Sequence, residues 1–485
     1  MNRRMIFSTV GKMLCAEAGM LLLPALIAVY YHEHCVWALL LAAAAALAVG
    51  FVTVFFSRPV SNVIFAREGF CIVSLAWIAL SAVGALPFVF SGEIPRYVDA
   101  FFETASGFTT TGASILANVE AMSHGLLFWR SFTHWVGGMG ILVFVLAIVP
   151  SVSERSIHIL RAEMPGPIVG KLVPRSRDTA SLLYKIYISM TLLEILLLLA
   201  GGMPPFESVV HAFGTAGTGG FSCRNISIAG YSPYLQWVIT VFMFLFGVNF
   251  NLYYLLLLRK FRDVLHSTEL LVYGAIVFLS ASLVTVNILP VCSGAEEAVR
   301  LAAFQVSSII TTTGFSTANF DLWPTFSKAI LVLLMFIGAC AGSTGGGIKV
   351  SRVVILAKAV QKELRRLCHP RSVNSVRFEG KPLDETTNRG VLIYLAAYLF
   401  CFIAVLLVLC LEQSDFVTNF TAAASCFNNI GPGLNMVGPA ANYTHYSDLS
   451  KLALSFAMLL GRLEIFPLLI FFSPEVWLQK NRQTL

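Results

Sequence analysis

Thr311-Thr312-Thr313-Gly314-Phe315-Ser316 places hydroxyls and one glycine between two apolar segments. Thr109-Thr110-Thr111-Gly112-Ala113-Ser114 repeats the pattern, and Thr218-Gly219-Gly220-Phe221-Ser222 and Asn429-Ile430-Gly431-Pro432-Gly433 are looser copies. What such segments offer chemically is neutral oxygen. Glycine permits backbone angles that expose successive carbonyls, and it lets chains approach closely. Four such loops around one axis can replace an ion's hydration shell with carbonyl oxygens. A ring of neutral oxygens suits a weakly hydrated monovalent cation, because divalent ions usually take carboxylates. The candidate ligands are Thr110, Thr111, Gly112, Thr218, Gly219, Gly220, Thr312, Thr313, Gly314, Asn429, Ile430 and Gly431.

Such loops need a scaffold that holds non-helical backbone at membrane depth, which is tolerated only where it is buried in protein or lines water. The chain has 485 residues, 57% hydrophobic and 12% charged, with mean hydropathy +0.78. A soluble chain carries about 25% charged residues, so this is a multi-span membrane protein surrounded by lipid. Residues 13–31 and 36–56 read as an N-terminal hairpin. A pattern of span, half-helix, polar Gly loop and span then runs four times. The spans are 70–91 and 126–149, 182–202 and 234–258, 269–290 and 327–359, 390–411 and 450–472. The half-helices 98–108, 205–214, 296–309 and 415–427 are too short to cross. The fold class is therefore all-α polytopic. Four pseudo-symmetric helix–pore helix–filter loop–helix repeats surround one pore, with ten crossings in all. The expected units are 1–57, 69–150, 178–260, 268–360 and 389–474. The first and third repeats align without gaps, Phe102-Glu103-Thr104-Ala105-Ser106 over Phe304-Gln305-Val306-Ser307-Ser308.

Acidic residues stand near the half-helix starts: Asp99, Glu207, Glu296 and Asp415. They can cap free amides there and complement the positive end of the dipole. The negative ends then face the axis and favour a cation. Glu103 either adds negative potential at the mouth or is a plain surface residue.

Basic residues collect in the loops 151–178, 259–262 and 349–389 and near both ends. The positive-inside rule puts these loops and both termini in the cytoplasm, and all four Gly loops on the other side. Topology accounts for the net charge of +7, and a nucleic-acid partner is not expected. The ten cysteines show no metal spacing and no disulfide framework. The basic then apolar N-terminus lacks a small-residue cleavage site and reads as a retained helix.

Residues 327–359 would extend roughly 50 Å as one helix, against a hydrocarbon core of about 30 Å. Gly345-Gly346-Gly347 should break it. A polar segment there, below the Gly314 loop, favours a gate over a passive kink. Arg462 lies deep in the last span, where an ionisable group is costly and usually faces a cavity or a partner. It cannot face Glu464 two residues away, and is expected below the filter, as a barrier or bonded to carbonyls of the broken segment. Gly342, Ser343, Thr344, Gly345, Gly346, Gly347, Lys349 and Arg462 are the gate candidates. Lys185 and Arg130 read as snorkelling side chains, and Asn249 and Asn251 as bonds between helices.

The repeated units resemble the Trk/Ktr/HKT superfamily of potassium transporters over residues 70–472, most nearly its bacterial TrkH branch. The matches are Thr-Thr-Gly-Ala-Ser at 110–114, Phe-Trp-Arg-Ser-Phe-Thr-His-Trp-Val-Gly-Gly-Met-Gly at 128–140, Gly-Val-Asn-Phe-Asn at 247–251, the Gly-rich break at 342–347 and Gly-Arg-Leu-Glu at 461–464. The resemblance implies filter glycines at Gly112, Gly220, Gly314 and Gly431. All four being Gly favours potassium over sodium. It further implies an intramembrane gating loop, a pore arginine at Arg462, a homodimer in the inner membrane, and a cytoplasmic TrkA-like regulatory subunit binding NAD or ATP. The loops 349–389 and 151–178 are the candidate docking surfaces. Potassium is the transported ligand, and no organic cofactor is expected in this chain. Phe213-Gly214-Thr215-Ala216-Gly217 is unusually Gly-rich for the family and leaves the second loop's ligands open. The alternative within transport is a sodium or poorly selective carrier. The alternative outside it is an intramembrane serine protease using Ser114 with His134. No metalloprotease motif is present, and no enzymatic activity is expected.

Overall fold

The computed structural model describes residues 2–57, 66–140, 176–370 and 375–478. Most of the predicted return span 126–149 is resolved as His124–Gly138. Residues 141–149, and the basic loop 151–178 up to 175, lie outside the described residues. Among the described residues, six helical segments are long and apolar enough to cross a membrane: Arg3–Tyr30, Val36–Phe56, Arg67–Ser91, Ser181–Ala200, Thr268–Val291 and Glu385–Leu409. The first two form the N-terminal hairpin, and the others open the four repeats. Their outward faces are rich in exposed Leu, Phe and Val, among them Phe278, Leu279, Phe400 and Leu407. Residues like these are stable outward only against lipid.

Between opening and return spans sit four short helices: Tyr97–Phe108, Pro205–Ala216, Ala295–Ile310 and Phe416–Asn428. At 12 residues such a helix is about 18 Å long and cannot cross. Each is stopped the same way. Thr110, Thr218, Thr312 and Asn429 take the left-handed conformation, with φ of 55, 54, 59 and 58°. The next residue's N–H reaches five residues back: Thr111 to Ser106 O at 2.8 Å, Gly219 to Gly214 O at 2.8 Å, Thr313 to Ser308 O at 2.8 Å, and Ile430 to Ser425 O at 2.9 Å. This is the Schellman stop, usually built on glycine. Threonine in that conformation costs on the order of 1–3 kcal/mol, a strain typical of functional sites.

The second, third and fourth return spans are interrupted below the loops. The expected break in the third is present, between Thr325–Phe336 and Val350–Cys368. The spans read as continuous at 234–258 and 450–472 are not. Pro233–Phe246 and Phe250–Leu257 meet at 91°. Asn249 causes this: its side chain accepts from the Asn251 N–H at 2.9 Å and starts the second helix. The pair thus caps a break and does not bond between helices as expected. The last span breaks between Asp448–Arg462 and Phe466–Phe472, where Glu464 and Ile465 are left-handed, φ 54 and 69°. Glu464 is drawn aside to Arg352, 3.1 Å away. A two-residue hairpin, Arg377–Phe378 with Lys381–Pro382, is the one departure from an all-helical fold among the described residues, apart from an isolated bridge between Ile337 and Ile348.

Capping at the half-helix starts is narrower than expected. Only Asp415 accepts from an amide in its helix, Thr418 at 3.1 Å. Asp99 instead pairs with Lys451 at 2.6 Å, Glu207 with Arg224 at 3.0 Å, and Glu296 with Arg300 at 3.0 Å. They still place negative charge by the positive helix ends.

The turn of the N-terminal hairpin caps a different helix. Glu33 accepts the N–H of His124 at 2.7 Å and of Gly125 at 2.9 Å, with His124 Nδ1 at 2.9 Å. Burial pushes the Glu33 carboxyl up, but the bonds from Gly125 and His124 outweigh it and hold the group below the usual carboxylate range. A depressed folded pKa contributes stability above the unfolded pKa of about 4.3 and loses it as pH falls through the folded value. Glu33→Gln should therefore cost about 1 kcal/mol at neutral pH, the size of a lost cap. Thermal unfolding followed against pH checks this: the gap to the unsubstituted protein should close below about pH 4, and a constant gap would assign Glu33 no electrostatic role.

Candidate ion pathway

The four loops meet in a closed ring. A methyl group placed on Gly112 would strike the Gly219 carbonyl oxygen, one on Gly220 that of Thr313, and one on Gly314 that of Ile430. One on Gly431 would lie 2.8 Å from that of Thr111 and close the circuit. Each glycine therefore abuts the carbonyl that precedes the next loop's glycine, in cyclic order one to four. All four take left-handed angles, φ 78, 76, 82 and 104°. No Cβ fits there, which is the physical reason for glycine at these positions.

The ring is rich in unspent oxygen. Among the described residues, no donor reaches the carbonyls of residues 110–112, 218–220, 312–314, 429 or 430. The threonines and Asn429 are fully buried. Buried carbonyls without partners are rare, and a cluster of them around one axis has the chemistry to replace an ion's hydration shell. The hydroxyls mostly brace the ring. Thr109 Oγ1 meets Thr111 Oγ1 at 2.9 Å, and Thr311 Oγ1 meets Thr313 Oγ1 at 2.8 Å. Asn429 Nδ2 donates to Thr111 Oγ1 at 2.9 Å, tying loop four to loop one.

Above the ring lies a vestibule of about 160 Å³ that touches all four glycines. Two of its arginines are neutralised. Arg224 pairs with Glu207. Arg130, read from sequence as snorkelling, is buried and bonds Glu103 at 2.6 Å and the Ser222 carbonyl at 3.1 Å. Its guanidinium lies 3.4 Å from the centre of the Phe221 ring. Glu103 is neither a mouth charge nor a surface residue. It is buried, and it also accepts from Ser114 Oγ and the Ile115 N–H, both at 2.9 Å. The Arg130–Glu103 pair thus braces loops one and two. Helical spacing hides it, because its partners come from different elements. Ser114 and His134 do not form a nucleophile–base pair: His134 Nδ1 lies 2.7 Å from the Gly107 carbonyl, and Ser114 is held by Glu103.

Directly below the ring, residues 337–349 cross the axis. The Gly346 N–H donates to Thr312 Oγ1 at 2.7 Å, and a methyl on Gly345 would lie 3.0 Å from the Thr311 carbonyl. The segment is pinned from several sides. Lys349 Nζ bonds the carbonyls of Gly345 and Gly346. Arg462 donates to Thr344 O at 2.8 Å and to Gly138 O at 2.7 Å, and also to Gly137 O. The Gly342 carbonyl accepts from Phe250 N–H at 3.0 Å. Glu269, not anticipated from sequence, accepts the N–H groups of Ala341 at 2.7 Å and Ser351 at 3.1 Å, one at each flank. Ser343 bonds only within the segment, to Cys340 O at 2.7 Å, and Gly347 is left-handed at φ 67°. A cavity of about 50 Å³ beneath is lined by Lys349, Arg462 and Glu464 among others. Arg462 thus ties the broken segment to the end of the first return helix, below the ring.

Four half-helices that bring their carbonyl ends to one ring, inside a bundle of apolar spans, define a pore-loop membrane transport protein. A family model described as TrkH, cation transport protein, matches residues 38–480, and the chain belongs to that family. It is 37% identical to the Trk system potassium uptake protein TrkH of Escherichia coli strain K12 over 484 residues, 98% of this chain and 100% of that protein. It is 32% identical to the Trk system potassium uptake protein TrkG of the same organism over 463 residues, 94% of each. The crystal structure of the potassium transporter TrkH from Vibrio parahaemolyticus superposes with a TM-score of 0.88 at 33% identity, covering 98% of this chain and 100% of that one.

Proposed function

We propose that this protein takes up potassium across the bacterial inner membrane through the ring of residues 110–112, 218–220, 312–314 and 429–431. The observation that carries the reading is the closed circuit of four loops whose carbonyls, that of Gly431 excepted, meet no donor among the described residues. Such a ring offers several oxygens and no formal charge, which suits a large monovalent cation. The names of the relatives, potassium uptake proteins, agree with this choice of ion. The vestibule faces outward, and both termini lie in the cytoplasm. The units 1–57, 69–150, 178–260, 268–360 and 389–474 are the hairpin and the four repeats.

The segment Gly342–Gly347, with Lys349 and Arg462, is the gate. It fills the axis and hangs on a small set of polar bonds, so it can move as one piece. The protein works as a homodimer, with a cytoplasmic TrkA-like subunit that binds NAD or ATP. The wording "Trk system" in the relatives' names supports a system of several components. The loops 349–389 and 151–178 receive that subunit.

The test is cation uptake into liposomes holding the purified protein. Potassium and rubidium should enter well ahead of sodium. Equal entry of all three would leave a general cation pore. If nothing enters, the assay is repeated with residues 345–347 deleted, and continued silence would sink the pore reading.

A further inference from the structure

The ring is not fourfold in its oxygens, and the difference lies at Gly431. A carbonyl oxygen has two lone pairs. Both of Gly431's are taken: Ser425 Oγ donates to it at 2.7 Å and Tyr443 Oη donates to it at 2.7 Å. No donor among the described residues reaches the carbonyls of Gly112, Gly220 or Gly314. The residues equivalent to Ser425 behave differently. Ser106 Oγ has no partner, Gly214 has no side chain, and Ser308 Oγ bonds the Phe315 carbonyl at 2.6 Å, one residue beyond the glycine. The backbone agrees. Gly431 has φ 104° against 76 to 82° in the other three, and a methyl on it meets its neighbour least closely. Tyr443 is placed to hold this arrangement. It is 2% exposed, its N–H donates to Ser114 O beyond the first loop at 2.9 Å, and its ring packs on Phe102 with centroids 5.6 Å apart.

We infer that Tyr443 and Ser425 are positioning residues that hold the Gly431 carbonyl out of the ion's coordination shell, so that the outermost ring offers three protein carbonyls and leaves its fourth side to water from the vestibule. This rests on the proposal that the ring is the selectivity filter. A three-carbonyl outer ring binds an entering ion weakly and releases it fast. It also discriminates less than four carbonyls, since preference for potassium depends on the number and field strength of the ligands.

The experiment is potassium and sodium uptake into proteoliposomes by Tyr443→Phe, Ser425→Ala and the double variant, with Gly314→Ser in the same series. Phenylalanine keeps the ring packing, and size-exclusion profiles check that each variant is folded. Each single change should lower the potassium KM by about twofold to threefold. The double variant should lower it by about tenfold, the effect of one further carbonyl bound to the ion. Its maximal rate should fall, and its preference for potassium over sodium should rise. Damage to the fold has the opposite signature, lost rate and lost preference at unchanged or higher KM. That result, or no change in KM, in folded variants would overturn the inference. If Gly314→Ser loses its preference while the Tyr443 and Ser425 variants behave as unsubstituted, only this inference fails. If Gly314→Ser also keeps its preference, the filter reading itself fails.

Discussion

Gly314→Ser should abolish most of the discrimination between rubidium and sodium, at least about tenfold in the ratio of initial uptake rates, a change worth only about 1.4 kcal/mol. The side chain has nowhere to go. Its Cβ would occupy the space of the Ile430 carbonyl oxygen and lie 3.0 Å from Pro432 Cδ. A left-handed backbone adds about 1–2 kcal/mol of strain for a residue with a Cβ. The relief is for loop three or loop four to withdraw. Either movement widens the ring and unmatches the carbonyls from a dehydrated potassium ion, while a more strongly hydrated sodium ion passes with water attached. Gly112→Ser and Gly220→Ser meet the Gly219 and Thr313 carbonyls in the same way and should behave alike. Gly431→Ser has a looser contact of 2.8 Å and should be mildest. Dual-isotope uptake in proteoliposomes measures all four. A Gly314→Ser protein that is folded, active and as selective as the unsubstituted chain would remove the ring from the pathway.

Arg462→Ala should raise resting potassium flux in the absence of any cytoplasmic partner by about tenfold or more. A hydrogen bond from a charged donor contributes about 1.5–3 kcal/mol. Arg462 makes several such bonds, to Thr344 on the proposed gate segment and to Gly137 and Gly138 at the end of the first return helix. Water in the cavity below replaces part of what is lost. A net release of about 2 kcal/mol shifts a closed–open equilibrium roughly thirtyfold. Losing the positive charge also lowers the barrier to a cation at this depth. Arg462→Lys separates the two effects, because it keeps the charge and loses the planar fork that reaches both sites. A leaking lysine variant assigns the effect to the clamp, and a tight one assigns it to charge. Stopped-flow or isotope flux without effector gives the answer. A folded Arg462→Ala protein with less flux than the unsubstituted one would mean that the arginine holds the pathway in working shape and does not close it.

The sequence by itself determined the class and the plan of this protein. Apolar runs longer than a bilayer is thick, half-length helices before each Gly loop, and the near copies around Gly112 and Gly314 were sufficient. They follow from local physics: hydrocarbon demands satisfied backbones, and only glycine fits where a left-handed turn abuts another chain. The break at 337–349 was legible for the same reason, since three successive glycines disfavour a helix wherever they stand.

What only the tertiary structure decided concerns partners from distant parts of the chain. Arg130 and Glu103 look like ordinary polar residues on separate helices, and only their approach makes them a buried brace. Glu269 reads as a helix-start carboxylate until the fold brings Ala341 and Ser351 to it. The breaks after Phe246 and Arg462 lack a glycine run. They arise because Asn249 can cap a new helix beside the segment 337–349, and because Arg352 draws Glu464 aside. The inequality of the fourth loop was equally hidden. Gly431 matches the other glycines by position, yet Ser425 and Tyr443 converge on its oxygen. Periodicity and spacing report what each residue does to its own backbone. Which lone pairs remain free for an ion depends on donors that folding delivers from elsewhere.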